Sequence, residues 1–187
     1  MSQPAPGRAR GGLRDEEAVA RQLGRPPRGL RRVAHRCRCG LPDVVETAPR
    51  LPDGSPFPTL YYLTCPRAVA AVSRLESAGV MRELERRLAT EPAFRQAYQS
   101  AHQDYLRRRD EAARAAGVAP LPAGTQSAGG MPARVKCLHA LAAHELAVPG
   151  ANPAGAEALD QAGRWWEGGP CVPADSQAGQ AGPAGAP

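Results

Sequence analysis

Between Cys37 and Cys65 the chain reads C-R-C-G-L-P-D-V-V-E-T-A-P-R-L-P-D-G-S-P-F-P-T-L-Y-Y-L-T-C, and this run leaves few folds open. Two apolar stretches flank L-P-D-G-S-P. In that segment proline fixes its own φ, the Asp side chain bonds back to the local backbone, and Gly accepts positive φ. A turn centred on Asp53 and Gly54 predicts a hairpin in which Val44 to Thr47 pair with Leu60 to Leu63. Cys39 and Cys65 then become neighbours at the open end of the hairpin, with Cys37 close by. The geometry names a site without naming a reaction.

Around the hairpin the pattern is helical. Asp15 to Leu23 opens on three acidic residues and stops at Gly24, as a short helix does. Leu30 to Arg36 reads as a short strand with Val33 inward. Pro66 suits a first helical position, and Val69, Val72 and Leu75 share a face that ends at Gly79. Val80, Met81, Leu84 and Leu88 continue in a second helix. A third is capped by Thr90 and carries the stripe Phe94, Tyr98, Ala101, Tyr105 and Ala112, with Arg107 to Arg109 turned to solvent. A Pro/Gly/Ser loop, a lid or a connector, covers 118–130. A last strong helix is expected from Met131-Pro132, with Val135, Leu138, Ala142 and Leu146 on its buried face. There Cys137 and His144 fall on one flank and His139 on the other. A short helix over 157–166 follows. The expected fold is α+β: one β-hairpin, or a small antiparallel sheet, packed with four to five helices. Residues 1–14 form a disordered basic arm, 15–166 a single domain, and 167–187 a disordered tail.

Charge is uneven. Of the net +6, ten arginines against Asp15, Glu16 and Glu17 place +7 within residues 1–38. No aromatic residue interleaves these arginines for base stacking, so nucleic acid is not the expected partner. Lys136 is the one lysine. No apolar run approaches 18 residues and no secretory leader pattern follows the first methionine, so a cytoplasmic protein without a membrane span is expected. Five cysteines in a reducing compartment favour thiols or metal ligation over disulfides.

Cys37, Cys39, Cys65 and Cys137 suit tetrahedral zinc, or an iron-sulfur cluster as the alternative. Zinc is preferred because His35, His139 and His144 offer imidazole ligands, with His139 the variant that replaces one thiolate. Cys65 also supports a second reading. At a helix N-terminus beside Arg67 its thiolate would be stabilised as a nucleophile requires, with His102, His139 or His144 as base. The glycines of A-G-G-M-P-A-R-V-K precede an expected helix start, so Gly129, Gly130, Arg134 and Lys136 form a candidate anion site for a phosphorylated ligand.

Q-L-G-R-P-P-R-G, R-C-R-C-G-L-P-D-V-V-E-T-A-P-R-L-P-D-G-S-P-F-P-T-L-Y-Y-L-T-C-P, A-G-G-M-P-A-R-V-K-C-L-H and H-E-L-A-V-P-G-A-N-P-A-G together resemble the actinobacterial domain of unknown function 501, over about residues 19–160. The resemblance implies no activity. Genes of such proteins often lie near those for a septum formation initiator and an exopolyphosphatase, which points weakly to phosphate metabolism or division. The matching positions include Cys37, Cys39, Cys65, Cys137, His139 and His144, whereas Cys171 lies beyond them. Ala133 and Ala156 stand where the family pattern usually has Asp. Two functions therefore compete: a protein whose thiolate cluster binds zinc in a structural or regulatory role, and a small thiol- or metal-dependent enzyme acting on a phosphorylated ligand.

Overall fold

The computed structural model describes residues 14–172. The basic arm up to residue 13 and the tail from 173 lie outside the described residues. The chain is α+β. It runs α1 (Asp15–Leu23), β1 (Leu30–Arg36), β2 (Pro42–Thr47), β3 (Tyr61–Leu63), α2 (Pro66–Ser77), α3 (Val80–Thr90), α4 (Pro92–Ala115), α5 (Leu138–Ala147) and α6 (Pro153–Ala162), with a single 3-10 turn at Trp165–Gly168. The described residues thus hold six helices rather than four to five. The hairpin is part of a three-stranded antiparallel sheet in the order β1-β2-β3.

The hairpin has the expected register: Val44 faces Leu63, Val45 faces Tyr62 and Glu46 faces Tyr61, and Thr47 N–H donates to Leu60 O at 2.9 Å. Its turn works as the residue types require. Asp53 Oδ1 accepts from Ser55 N–H at 2.9 Å, and Gly54 sits at φ 81°. β1 adds a third strand with register shifts. These irregularities displace the simple alternation, so Ala34 packs against the core and Val33 is only half-buried.

α4 buries the predicted stripe Phe94, Tyr98, Ala101, Tyr105 and Ala112, and also Arg109. The expectation that Arg109 faces solvent is corrected by its partners. Its guanidinium donates to Gln126 O at 2.6 Å and Thr125 O at 3.1 Å. It thereby fastens the long loop onto α4, and burial holds its pKa below the usual arginine value.

α5 begins at Leu138 and not at Met131. The preceding segment turns back on the two glycines, with Arg134 N–H bonded to Gly130 O and Lys136 N–H to Gly129 O. Helical periodicity in the apolar residues masked this turn. α5 packs on β3, α2 and α6, and Leu138, Leu141, Ala142 and Ala143 form the centre of the main core. A second, smaller core joins Ala18 of α1, Leu41 and Val172, with Cys39 and Cys171 against it. Val172 is 7% exposed, and the chain through Cys171 and Val172 packs on this second core. No helix among the described residues is long and apolar enough to cross a membrane.

Candidate metal centre

Three of the expected thiols meet at the open end of the hairpin. Cys37 follows β1. Gly40, at φ 88°, then folds the chain back so that its N–H reaches Cys37 O at 2.8 Å while Cys37 N–H reaches Leu41 O at 3.0 Å. This tight knuckle brings the Cys39 sulfur beside that of Cys37. Cys65 sits at the N-cap of α2 with Pro66 at the first helical position, and its sulfur meets that of Cys37.

The fourth member is Cys171, which the sequence reading left in the tail. Its sulfur contacts those of Cys65 and Cys39 and accepts from Gln22 Nε2 at 3.1 Å. Gln22 also donates to Pro42 O at 2.6 Å, so α1 braces the segment from within. Trp166 lies under Arg38, 4.8 Å from guanidinium carbon to ring centre. The signal for this placement was W-W-E-G-G-P-C-V, whose two tryptophans and valine interrupt a run otherwise rich in Gly, Ala and Pro.

The four sulfurs form a closed ring, Cys37 to Cys65 to Cys171 to Cys39 and back to Cys37. Ionisation alternates around it. Contact with Cys65 first holds Cys37 down to about 6 and Cys171 likewise to about 6. Burial first, and then the Cys37 neighbour, against the Leu41 amide, pushes Cys39 up to about 11. Cys65 is pushed far above the ordinary thiol value by Cys171 and then Cys37. Cys65 is also completely buried, so the expected low-pKa nucleophile at the start of α2 is corrected: its thiol is held protonated and enclosed. Amides face the sulfurs too, Cys39 N–H toward Cys37, Leu41 N–H toward Cys39 and Ala68 N–H toward Cys65. All five cysteines are free.

Cys137 is not in this ring. It caps α5 beside the far end of α2, where Glu76 lies eleven residues beyond Cys65, or about 16 Å at the helical rise of about 1.5 Å per residue. Its Sγ is 4.0 Å from His139 Nδ1, and Glu76 Oε1 is 3.1 Å from the same Nδ1. The three donor atoms all lie within 4.8 Å of one another. The His139 Nε2 faces Val69 O at 3.2 Å and Ser73 Oγ at 3.1 Å, so Val69, Ser73 and Glu76 present one stripe of α2 to the imidazole. Glu76 Oε1 is fixed by Leu138 N–H at 2.7 Å. Contact with His139 holds the Cys137 thiol below its ordinary value, and Cys137 first, then the Glu76 charge against the opposing cost of burial, pushes His139 up to about 9. Sequence reasoning found Cys137 and His139 and missed Glu76, whose only signal was its helical register with Val69 and Ser73.

The other candidates are placed elsewhere. His35 Nδ1 lies 2.7 Å from the buried Asp43 Oδ1. His102 Nδ1 lies 2.8 Å from Ser127 Oγ. His144 is buried between Asp104 and Asn152. The proposed anion site loses its helix N-terminus, because residues 131–137 are not helical and the Gly129 and Gly130 carbonyls are taken by Lys136 and Arg134 N–H. Gly130, Arg134 and Lys136 nevertheless line a cavity of about 290 Å³ with His102, while Arg134 Nε also faces Glu85 Oε1 at 3.6 Å.

A family model described as protein of unknown function (DUF501) matches residues 33–160. The chain belongs to this family. No curated protein and no solved structure matches it. The DUF501 match takes in Cys37, Cys39 and Cys65 of the ring and all of Glu76, Cys137 and His139, and it stops short of Cys171.

Proposed function

We propose that this DUF501 protein is a metal-binding protein whose Cys37, Cys39, Cys65 and Cys171 hold one zinc ion in a structural role. The closed ring of four sulfur contacts, drawn from three separate stretches of chain, carries the reading. Four thiols that each touch two neighbours around the ring repel one another once ionised. A divalent cation at the centre removes that repulsion and gives every sulfur a partner. Amides aimed at the sulfurs are the outer support such a site needs. A single ion at about 2.3 Å from each sulfur keeps the four as neighbours, whereas an iron-sulfur cluster is several atoms wide and holds its cysteine sulfurs apart. Four protein ligands leave no open position, which makes the ion a staple and not a catalyst.

The staple joins α1 and the knuckle to the start of α2 and to the C-terminal segment, so metal binding and folding are coupled. Elemental analysis of untagged protein tests it. Cys65→Ser and Cys171→Ser should each lose about one equivalent of zinc and melt at lower temperature. Full zinc content in either variant would contradict the assignment, and an anaerobic charge-transfer spectrum of iron would replace the ion with a cluster.

A further inference from the structure

At the opposite end of α2 from the thiol ring, Glu76 Oε1, Cys137 Sγ and His139 Nδ1 converge to within 4.8 Å of one another. The elements that supply them are rigid. Glu76 lies in the last turn of α2, and Cys137 and His139 straddle the first residue of α5. The imidazole is oriented from behind, since its Nε2–H donates to Val69 O at 3.2 Å. That tautomer turns the Nδ1 lone pair toward the carboxylate and the thiol. A metal-bound histidine is commonly held in this way, with its other ring nitrogen donating to a backbone carbonyl. Leu138 N–H fixes the same Glu76 oxygen at 2.7 Å, so the carboxylate is also preset.

Nδ1 has no acceptor task other than a cation. Its nearest neighbour, the Glu76 carboxylate oxygen at 3.1 Å, accepts hydrogen bonds and does not donate them, and the Cys137 sulfur at 4.0 Å is a weak donor at most. Either a proton or a metal ion must sit among the three. We propose that Glu76, Cys137 and His139 form a second metal site, distinct from the thiol ring, that takes a zinc ion through three protein ligands. Sulfur, imidazole nitrogen and carboxylate oxygen are the mixed set that zinc accepts, and two anionic ligands balance its charge. Side-chain exposures of 24% for His139 and 25% for Glu76 leave the fourth position open to water. Zinc sites with three protein ligands and a water are the kind that activate that water, unlike closed structural sites. On binding, the ion takes the place of the one proton held between Nδ1 and the Cys137 sulfur, which passes to solvent.

The experiment is a zinc titration of the full-length chain, stripped and reloaded, against a chromophoric chelator. Wild type should take up two equivalents. Glu76→Gln keeps the acceptor for Leu138 N–H, and together with Cys137→Ser it should bind one equivalent while leaving the thiol-ring zinc in place. Cobalt(II) gives a second readout: added azide should shift the visible bands of wild type through the open position and leave those of Cys137→Ser unchanged. One equivalent in wild type, unaffected by Glu76→Gln and Cys137→Ser, overturns the second site and leaves Cys137 and His139 as a thiolate and imidazolium pair. Loss of zinc in Glu76→Gln with none in Cys171→Ser keeps the second site and overturns the ring.

Discussion

His144 shows how a residue that looks like a ligand is committed to the core instead. It is completely buried. It lies parallel to Tyr61 at 5.8 Å and edge-on to Tyr105 at 5.2 Å. Its Nε2–H donates to Asp104 Oδ2 at 3.2 Å, and its Nδ1 accepts from Asn152 Nδ2 at 3.3 Å. Both ring nitrogens are thus satisfied in the neutral form. Burial holds its pKa below 6.5 in spite of Asp104. The unfolded chain therefore binds a proton in mild acid that the folded chain refuses. Stability from this group is complete above about pH 6.5 and falls as pH drops below it, by at most about 1.4 kcal/mol per pH unit. Thermal melts from roughly pH 7.5 to 5.5 should fall more steeply for wild type than for His144→Gln, which has no proton to gain. Parallel slopes would show that the imidazole is not what senses acid here.

At the scale of elements, the crossing of α5 and α6 depends on a missing side chain. A Cβ on Gly155 would stand 2.2 Å from Leu141 O and 2.9 Å from Glu145 Cβ. Small residues line the rest of the contact, with Ala142, Ala143, Ala154 and Ala158 fully buried. Asn152 caps α6 by accepting from Gly155 N–H at 2.9 Å. Glu145 of α5 accepts from Gly150 and Asn152 N–H at 2.6 and 2.7 Å. Gly155→Ala must push the two helices apart, at a cost of about 1 to 3 kcal/mol, and its melting point measures this. An unchanged melting point would mean that the helices separate freely. The hairpin was legible in the sequence because Asp53 and Gly54 fix the turn locally, and a fixed turn fixes the register. The stripe of α4 was legible for the same reason of strict period. The start of α5 was not. Val135 and Leu138 keep a helical spacing through a segment whose backbone is turned by contacts of Gly129 and Gly130, and apolar period does not report backbone hydrogen bonds. Arg109 was missed because its partners are carbonyl oxygens of a loop that shows no pattern.

Across the whole molecule, the two proposed metal centres occupy opposite ends of α2, and each borrows from a distant part of the chain. Cys37 and Cys39 come to Cys65 through the hairpin, which is why that half of the site could be read from spacing. Cys171 reaches them from more than a hundred residues away, held by Gln22 of α1 at 3.1 Å and by Val172 packed on Ala18 and Leu41. No local rule signals such closure, and the Gly/Pro surroundings of Cys171 argue for a loose end. Cys137 was assigned to the wrong partner set by the same gap. Its true neighbour Glu76 is set by how α5 packs on α2. The central claim, that the thiol ring holds zinc, is tested most directly by zinc-edge X-ray absorption of full-length Glu76→Gln protein, in which the second centre is removed. The account predicts a first shell of four sulfur atoms at about 2.3 Å. A shell dominated by nitrogen and oxygen at about 2.0 to 2.1 Å, or a folded protein that holds no zinc, would contradict it.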